Sequence, residues 1–114
     1  MTVEKFEDLL VWQKARDLVL SLYRAFSGCK DFNFKNQIES AGISVMNNIA
    51  EGFERRGDKE LTRFLFISKG SSGEVRSMLY IAQTLQYITP TDFSHLYEET
   101  LIVSKMLSSF IKSL

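Results

Sequence analysis

Apolar residues recur at intervals of three and four along almost the whole chain, and this spacing constrains the fold more than any other feature. Such intervals place side chains on one face of an α-helix, whereas a half-buried β-strand needs strict alternation, which is absent here. Pro90 is the only proline, so long stretches can remain helical. The pattern therefore predicts an all-α protein.

Local signals divide this pattern into four helices, predicted over residues 7–27, 33–56, 58–87 and 90–113. Gly28 and Gly57 stand where the first two helices should stop, as glycine commonly does at helix C-termini. Asn33 and Asp58 are predicted to cap the N-termini of the second and third helices. Thr89, followed by a proline, is a start signal for the fourth.

Helices of this length joined by connections of a few residues predict a single antiparallel up-down-up-down four-helix bundle. We expect one domain, residues 1–114, because a chain of 114 residues can bury roughly two-thirds of its unfolded surface. No linker, low-complexity tract or internal repeat is visible in the sequence.

The helices carry more apolar surface than one bundle needs. On the first helix the apolar arc spans roughly half the circumference, whereas a surface helix needs little more than ~100°. Scattered exposed apolar residues are one interpretation, since they are common on protein surfaces. We prefer burial between subunits of a homo-oligomer, because the excess recurs on three helices. The candidate interface residues are Leu10, Val11, Phe66, Tyr80, Ile102 and Met106.

The residue inventory argues against an enzyme. Cys29 and His95 are the only cysteine and the only histidine, so neither a Cys/His zinc site nor a Glu-x-x-His di-iron site can be assembled. A Cys29–His95 pair for nucleophilic catalysis has no support in the pattern. We therefore predict no catalytic residues, no metal and no cofactor.

Charge and hydropathy limit the location and the partners. Lys plus Arg and Asp plus Glu are both 14, so the formal net charge is zero, which argues mildly against nucleic acid held by overall charge. The first eight residues lack a signal sequence, and no run reaches the ~18 apolar residues of a membrane span. A cytoplasmic protein without a membrane partner is expected.

One segment is more basic than the rest of the chain. Interspersed acids make a solvated, salt-bridged helix face the default interpretation. Repeated around a ring of subunits, the same residues would form a multivalent nucleic-acid site. These candidates are Arg55, Arg56, Lys59, Arg63, Lys69 and Arg76.

Two polar motifs interrupt the predicted helices. In the first, Asn48 or Glu51 is expected to hydrogen-bond to a neighbouring helix while Gly52 permits close approach, although a ligand contact is the alternative. In the second, residues 70–73, small side chains should let another helix, or a ring such as Trp12, pack against the backbone. A phosphate cradle is less favoured because the lysine-serine ending and the preceding strand of a P-loop are missing.

These motifs resemble the four-helix-bundle proteins of the 23S rRNA intervening-sequence family, also called the S23 ribosomal protein family. The resemblance covers nearly the whole chain. It is carried by Phe6–Leu9, Val11–Ala15, Tyr23, Gln37–Ile38, Ala41, Ser44, Asn48–Gly52, Phe64–Leu65, Lys69–Ser71, Glu74, Arg76 and Ala82. The motif residues with an expected structural role are Trp12, Asn48, Glu51, Gly52, Gly70, Ser71 and Glu74.

The resemblance implies a bacterial, up-down bundle that assembles as a homopentamer. It also implies a link to RNA, because some relatives are encoded within 23S rRNA genes and a basic branch binds nucleic acid. The present chain is neutral, and Ser40 stands where the family often has arginine, so that arginine's role does not carry over.

Three functions follow as hypotheses. The first is a non-enzymatic, homo-oligomeric module that binds RNA or a ribonucleoprotein. The second is an oligomeric protein-protein adaptor without nucleic-acid contact. The third, a small-molecule or catalytic function in a pore or between helices, has no motif in its favour.

Overall fold

The structure, a computed structural model, describes residues 3–114, so Met1 and Thr2 of the predicted domain lie outside it. A short 3₁₀ turn, Phe6–Asp8, leads into four α-helices. They are α1 (Leu10–Ala25), α2 (Phe32–Glu54), α3 (Asp58–Thr84) and α4 (Pro90–Ser113). Residues 3–114 contain no strand, and the predicted all-α fold is confirmed.

Each helix packs against the next one in the chain, and α4 returns to contact α1. The α2–α3 pairing is antiparallel, because residues later in α2 contact residues earlier in α3. Ser44 bonds to Ser71, whereas Gly52, two turns further on, meets Phe64. The result is a rod of 43 × 21 × 20 Å. We call the end with the α1–α2 and α3–α4 connections the upper end, and the end with the α2–α3 connection the lower end.

Several helix ends differ from their predicted positions. The first helix begins at Leu10 rather than residue 7, because the preceding 3₁₀ turn ends in the extended residue Leu9. It stops at Ala25, before Gly28 is reached. The third helix stops at Thr84 rather than at 87. Propensity alone could not place these ends, since the last turns fray into other turn types.

The predicted caps are partly wrong. Asp31, not Asn33, caps α2, and its carboxylate accepts a hydrogen bond from the Phe34 amide at 3.1 Å. The Tyr87 hydroxyl also donates to Asp31, at 2.7 Å, which ties the two upper connections together and lowers the pKa of that carboxyl. Asp58 lies inside α3, preceded by Gly57 at φ 121°. Thr89 caps α4 as predicted, accepting from the Asp92 amide at 3.0 Å.

The core consists of two apolar clusters stacked along the rod. The upper cluster is centred on Leu18, Leu22, Phe26, Ile38, Leu79 and Leu96. The lower cluster is centred on Ala15, Ile49, Leu65, Val103 and Leu107. Each cluster draws residues from all four helices, so burial of apolar area holds the whole bundle together rather than one helix pair.

A layer of hydroxyl groups, the hydroxyl belt, separates the two clusters. Its members are Ser44, Ser68, Ser71, Ser72, Thr100 and Ser104. Ser68 Oγ donates to the Val45 carbonyl of α2 at 2.7 Å, and Ser72 Oγ donates to the Thr100 carbonyl of α4 at 3.1 Å. Both serines are fully buried. Their bonds remove the cost of burying an unpaired hydroxyl and link α3 to both neighbours.

Gly52 brings the lower halves of α2 and α3 into close contact. A Cβ at this position would lie 2.7 Å from Phe64 Cβ and 3.2 Å from Leu61 Cδ1. Because Phe64 Cβ is attached to the backbone, it cannot move aside as the tip of a side chain can. The predicted close approach at Gly52 is therefore present.

Within residues 3–114, no helix combines the length and the apolar character that a membrane span requires.

Two glycine substitutions should have opposite effects on stability. Gly52→Ala should destabilise the fold by about 1–3 kcal/mol, because the added methyl group overlaps Phe64. Gly70→Ala is the control: nothing lies within 4 Å of the added methyl group, so better helix propensity should stabilise by roughly 0.5–1 kcal/mol. Urea unfolding of the two variants and the parent measures both effects. Equal stability of the two variants would show that α2 and α3 are not in close contact at Gly52.

Candidate functional site

The lower end of the bundle gathers four of the six predicted basic residues, Arg55, Arg56, Lys59 and Arg63. Acidic residues accompany them. Arg55 donates to Glu51 at 3.0 Å and lies 3.8 Å from Glu60, while Arg63 donates to Glu60 at 3.0 Å. The hydrogen bond from Arg63 is the main reason that the pKa of Glu60 is lowered.

Two of these guanidinium groups lie against one aromatic ring. The central carbon of Arg55 is 5.2 Å, and that of Arg63 4.6 Å, from the centroid of Phe64. Glu60 bridges the two arginines, and its hydrogen bond is the main cause that raises the pKa of Arg63. This arrangement orients two half-exposed guanidinium groups, but it also neutralises them.

The lower end is not strongly basic. Residues 51–63 contain four acids and four bases, so their formal charges cancel. Lys69 and Arg76 lie further along α3, about 9 and 20 Å from Arg63 at 1.5 Å per residue. Arg76 instead approaches Ser104 of α4, at 3.4 Å. The six residues thus do not form one patch.

The side chains of the first polar motif, residues 47–52, bond mainly within their own helix. Asn48 donates to the Ser44 carbonyl at 2.8 Å and to Ser44 Oγ at 3.0 Å, one turn earlier in α2. Glu51 is exposed and pairs with Arg55 of the same helix. The expected direct bond to a neighbouring helix is therefore absent at both residues. Asn48 supports the hydroxyl belt indirectly, since Ser44 bonds to Ser71 of α3 at 2.8 Å.

The second polar motif packs through hydroxyls rather than through glycine. Gly70 faces open space, so the predicted close packing at this position is wrong. Ser71 and its neighbour Ser72 supply the contacts to α2 and α4. The aromatic partner of the Trp12 ring is Phe6, which it meets edge-on at a centroid distance of 5.2 Å.

Ser40 and Glu74 line the same shallow hollow between α2 and α3, together with Gln37 and Ser44. Glu74 is exposed and forms no ion pair with any residue in the 3–114 range. Ser40 therefore lines this hollow beside an acid that pairs with no cation among the described residues.

Five of the six candidate interface residues retain exposed surface. Leu10 is the most exposed, at 67%, and Phe66, Tyr80 and Ile102 are also exposed, whereas Met106 is half-buried. The prediction that Val11 lies at an interface is wrong, because this residue is only 5% exposed and belongs to the lower cluster. Its position on the wheel is next to the true core stripe, so periodicity alone assigned it to the wrong face.

A groove runs along the seam between α1 and α4, which we call the seam groove. Its lower part, about 530 Å³, is apolar and is lined by Leu9, Leu10, Met106 and Phe110 among others. Its middle part, about 400 Å³, contains the charged and polar side chains of the groove among a largely apolar surface, and we call it the polar part. Leu20, Ile102 and Val103 line that part together with Lys14, Asp17, Ser21, Arg24, His95 and Glu99.

Glu99 is the most deeply placed charged group in this groove. Its side chain is 17% exposed, and burial, the largest influence, raises its pKa above the ordinary 4.5. A hydrogen bond from Ser21 and the charge of His95 act in the opposite direction. His95 Nε2 lies 3.0 Å from Glu99 Oε1, within ion-pair distance when the ring is protonated, but without the direction of a well-formed hydrogen bond.

Sequence reasoning missed the polar part of the seam groove. His95 and Glu99 are four residues apart in α4, and Asp17, Ser21 and Arg24 recur at three and four in α1. That spacing was available as a signal for two polar stripes. What the sequence does not contain is the rotation that turns these stripes toward one another.

Cys29 and His95 have different surroundings in the described part of the chain. Cys29 lies in the upper cluster with its sulfur 3.8 Å from the Asp31 carbonyl oxygen, while His95 faces Glu99. No three His, Cys, Asp or Glu side chains of residues 3–114 lie close enough to hold a metal ion.

Residues 7–109 match the family described as 23S rRNA-intervening sequence protein, and the chain belongs to that family. Among solved structures, it is similar to a protein of unknown function from the S23 ribosomal protein family of Bacteroides thetaiotaomicron. The TM-score is 0.83 at 22% identity, with 90% of this chain and 99% of that chain covered, which shows a shared fold. No curated protein matches the chain.

Replacing the largely buried carboxyl group of Glu99 should change how the stability of the fold depends on pH. Because the folded pKa of Glu99 is raised, the native state loses stability as pH rises from 4.5 through that raised value. Glu99→Gln cannot ionise, so its melting temperature should exceed that of the parent at neutral pH by a few degrees and converge with it below pH 4.5. Thermal melts across this range measure the gap.

The matched control is Glu98→Gln, which removes the same charge from an exposed neighbour. It should produce no such divergence. A Glu99→Gln variant whose melting temperature tracks the parent at every pH would mean that Glu99 is solvated rather than buried.

Proposed function

We propose that this member of the 23S rRNA-intervening sequence protein family is a non-catalytic module that assembles with copies of itself. The observation that carries the proposal is the position of the exposed apolar side chains. Most of them lie on two different sides of the rod. A monomer gains nothing from leaving two such surfaces in water.

The first surface, the seam face, borders the seam groove and consists of Leu10, Leu20, Ile102 and Met106. The second, the α3 face, consists of Phe66, Ile67, Tyr80, Ile81 and Leu85. Helix α3 packs on α2 and α4 but not on α1, so these surfaces belong to opposite corners of the bundle. Gly70 and Gly73 have no side chains, so the backbone is accessible in the middle of the α3 face.

Two different apolar surfaces favour a head-to-tail assembly. A two-fold dimer needs only one self-complementary surface, whereas a head-to-tail contact joins two different surfaces and closes into a ring when the rotation permits. The homopentamer that the family resemblance implies is such a ring. We propose that the seam face of one copy contacts the α3 face of the next.

RNA is the partner that we propose for the assembled module, with an adaptor for another protein as the alternative. The orientation of Arg55 and Arg63 over Phe64 favours RNA, because both guanidinium groups remain about half-exposed. The balanced charge of residues 51–63 means that one copy would bind weakly. A ring would multiply that weak contact through a high local concentration of sites.

Mass measurement tests the assembly. Five copies of 13.1 kDa give about 65 kDa, the mass expected from size-exclusion chromatography with light scattering. Leu10→Asp and Phe66→Asp should each give folded monomers, since each places a charge in an apolar contact. Mixed in equal amounts, the two variants should form one dimer of about 26 kDa, because one intact seam face meets one intact α3 face.

Phe32→Asp is the control, because Phe32 is 66% exposed but belongs to neither face. It should keep the mass of the parent. A parent protein that elutes as a 13.1 kDa monomer, or variants that remain monomeric when mixed, would contradict the head-to-tail assembly.

Salt dependence tests RNA against the adaptor alternative. Arg55→Glu with Arg56→Glu should weaken RNA binding and reduce the slope of log K against log salt by about 0.7 for each lost phosphate contact. Fluorescence anisotropy with a labelled RNA oligonucleotide provides both values. Lys30→Glu with Lys112→Glu makes the same change in net charge elsewhere and should leave the slope unchanged. Salt-independent binding, or equal effects of both pairs, would favour the adaptor.

A further inference from the structure

An acidic residue interrupts the apolar α3 face. Ile67, Glu74 and Ile81 follow one another at intervals of seven residues, so they form one stripe along α3. Glu74 is exposed and lies within 4 Å of no cation among residues 3–114. A carboxylate in the middle of an apolar contact is costly to cover unless the covering surface supplies a cation.

The seam groove supplies such a cation at its upper end. Arg24 of α1 is exposed there, with no carboxylate of residues 3–114 within 4 Å. The acids of the groove have nearer partners: Asp17 lies 3.2 Å from Arg16, and Glu99 lies 3.0 Å from His95. The Arg24 guanidinium group therefore remains available to a carboxylate from outside the chain.

The level of Glu74 along the rod can be measured from the hydroxyl belt. Ser71 of α3 bonds to Ser44 of α2 at 2.8 Å, so these two residues lie at one level. From there α3 continues toward the upper end, and Glu74 follows Ser71 by three residues. Its backbone therefore lies about 4.5 Å above the level of Ser44, at 1.5 Å per residue.

Arg24 lies at nearly the same level. Helix α1 meets α2 where Leu22 contacts Gly42, since a Cβ on that glycine would lie 2.6 Å from Leu22 Cδ1. Gly42 is two residues, about 3 Å, above Ser44, and Arg24 is two residues, about 3 Å, beyond Leu22. Arg24 and Glu74 therefore differ in level by only about 2 Å, although they lie on the two faces that are proposed to join.

We propose that Arg24 of each copy forms an ion pair with Glu74 of the next copy and thereby fixes the register of the head-to-tail assembly. Copies in a closed ring are related by rotation about one axis, so residues at the same level of parallel rods come together. Leu20 precedes Arg24 by one turn, and Ile67 and Ile81 flank Glu74, so apolar side chains surround the pair. This inference rests on the assembly proposed above and names the contact that aligns it.

The pair selects one alignment rather than supplying most of the affinity. Surface ion pairs contribute little to stability, whereas an alignment that covers Glu74 without a cation is penalised. Lys14, the other cation of the seam groove, precedes Arg24 by ten residues and lies about 15 Å lower. In the same register it is too far from Glu74 to replace Arg24.

Charge reversal tests the pair. Arg24→Glu and Glu74→Arg should each raise the protein concentration needed for assembly by about tenfold or more, because each variant brings two like charges together. The double variant, Arg24→Glu with Glu74→Arg, restores opposite charges and should assemble within about threefold of the parent's concentration. Sedimentation velocity across a concentration series measures these values. Both residues are exposed, so the variants should fold, which circular dichroism verifies.

The matched control is Arg24→Glu with Glu54→Arg, which has the same net charge as the double variant. Glu54 is exposed on α2, about 15 Å below the level of Ser44, so the control should assemble as weakly as Arg24→Glu alone. If the double variant assembles no better than the control, the ion pair is wrong while the assembly of the parent stands. A monomeric parent would overturn the assembly and the ion pair together.

Discussion

The close contact between α2 and α3 is the constraint on which the rest of the bundle depends. Gly52 removes the side chain that would separate the helices, and Ser68 then reaches the Val45 carbonyl within the core. Because α3 is fixed in this way, its other side presents Ser72 to the Thr100 carbonyl of α4 at a defined height. Helix α4 is thus positioned from α3, and α1 fills the remaining corner of the bundle.

This order of contacts explains where the open surfaces lie. The α2–α3 and α3–α4 pairs are joined by fully buried hydroxyl bonds, whereas the hydroxyl contact between α1 and α4, from Ser21 to Glu99, involves two half-buried residues. A groove consequently forms along the α1–α4 seam, apolar below and polar in its middle part. The lower end, by contrast, carries ion pairs of its own, which join Arg55 to Glu51 and Glu60, and Arg63 to Glu60.

Much of the fold could be predicted from sequence because helices record their inward face in the spacing of apolar residues. The four helices, the Thr89 cap and the close helix contact at Gly52 all follow from local rules. Properties that depend on neighbouring helices could not be predicted. Periodicity could not tell that Val11 faces inward, that Gly70 faces solvent or that Asn48 bonds within its own helix. The pairing of His95 with Glu99 beside the α1 cations needed the relative rotation of two helices, which no single-helix pattern contains.

The hydroxyl belt also restricts how such a sequence can change in length. Its bonds join Ser44 to Ser71 and Ser72 to Thr100. They therefore fix the positions of α2, α3 and α4 relative to one another along the rod. A residue inserted beside the belt would rotate everything beyond it by about 100° and separate these partners. Insertions and deletions of whole turns are therefore best tolerated toward the two ends of the rod, where the helices are joined by connections rather than by buried polar bonds. Length variation in this architecture should accumulate at the ends, while the middle stays constant in number.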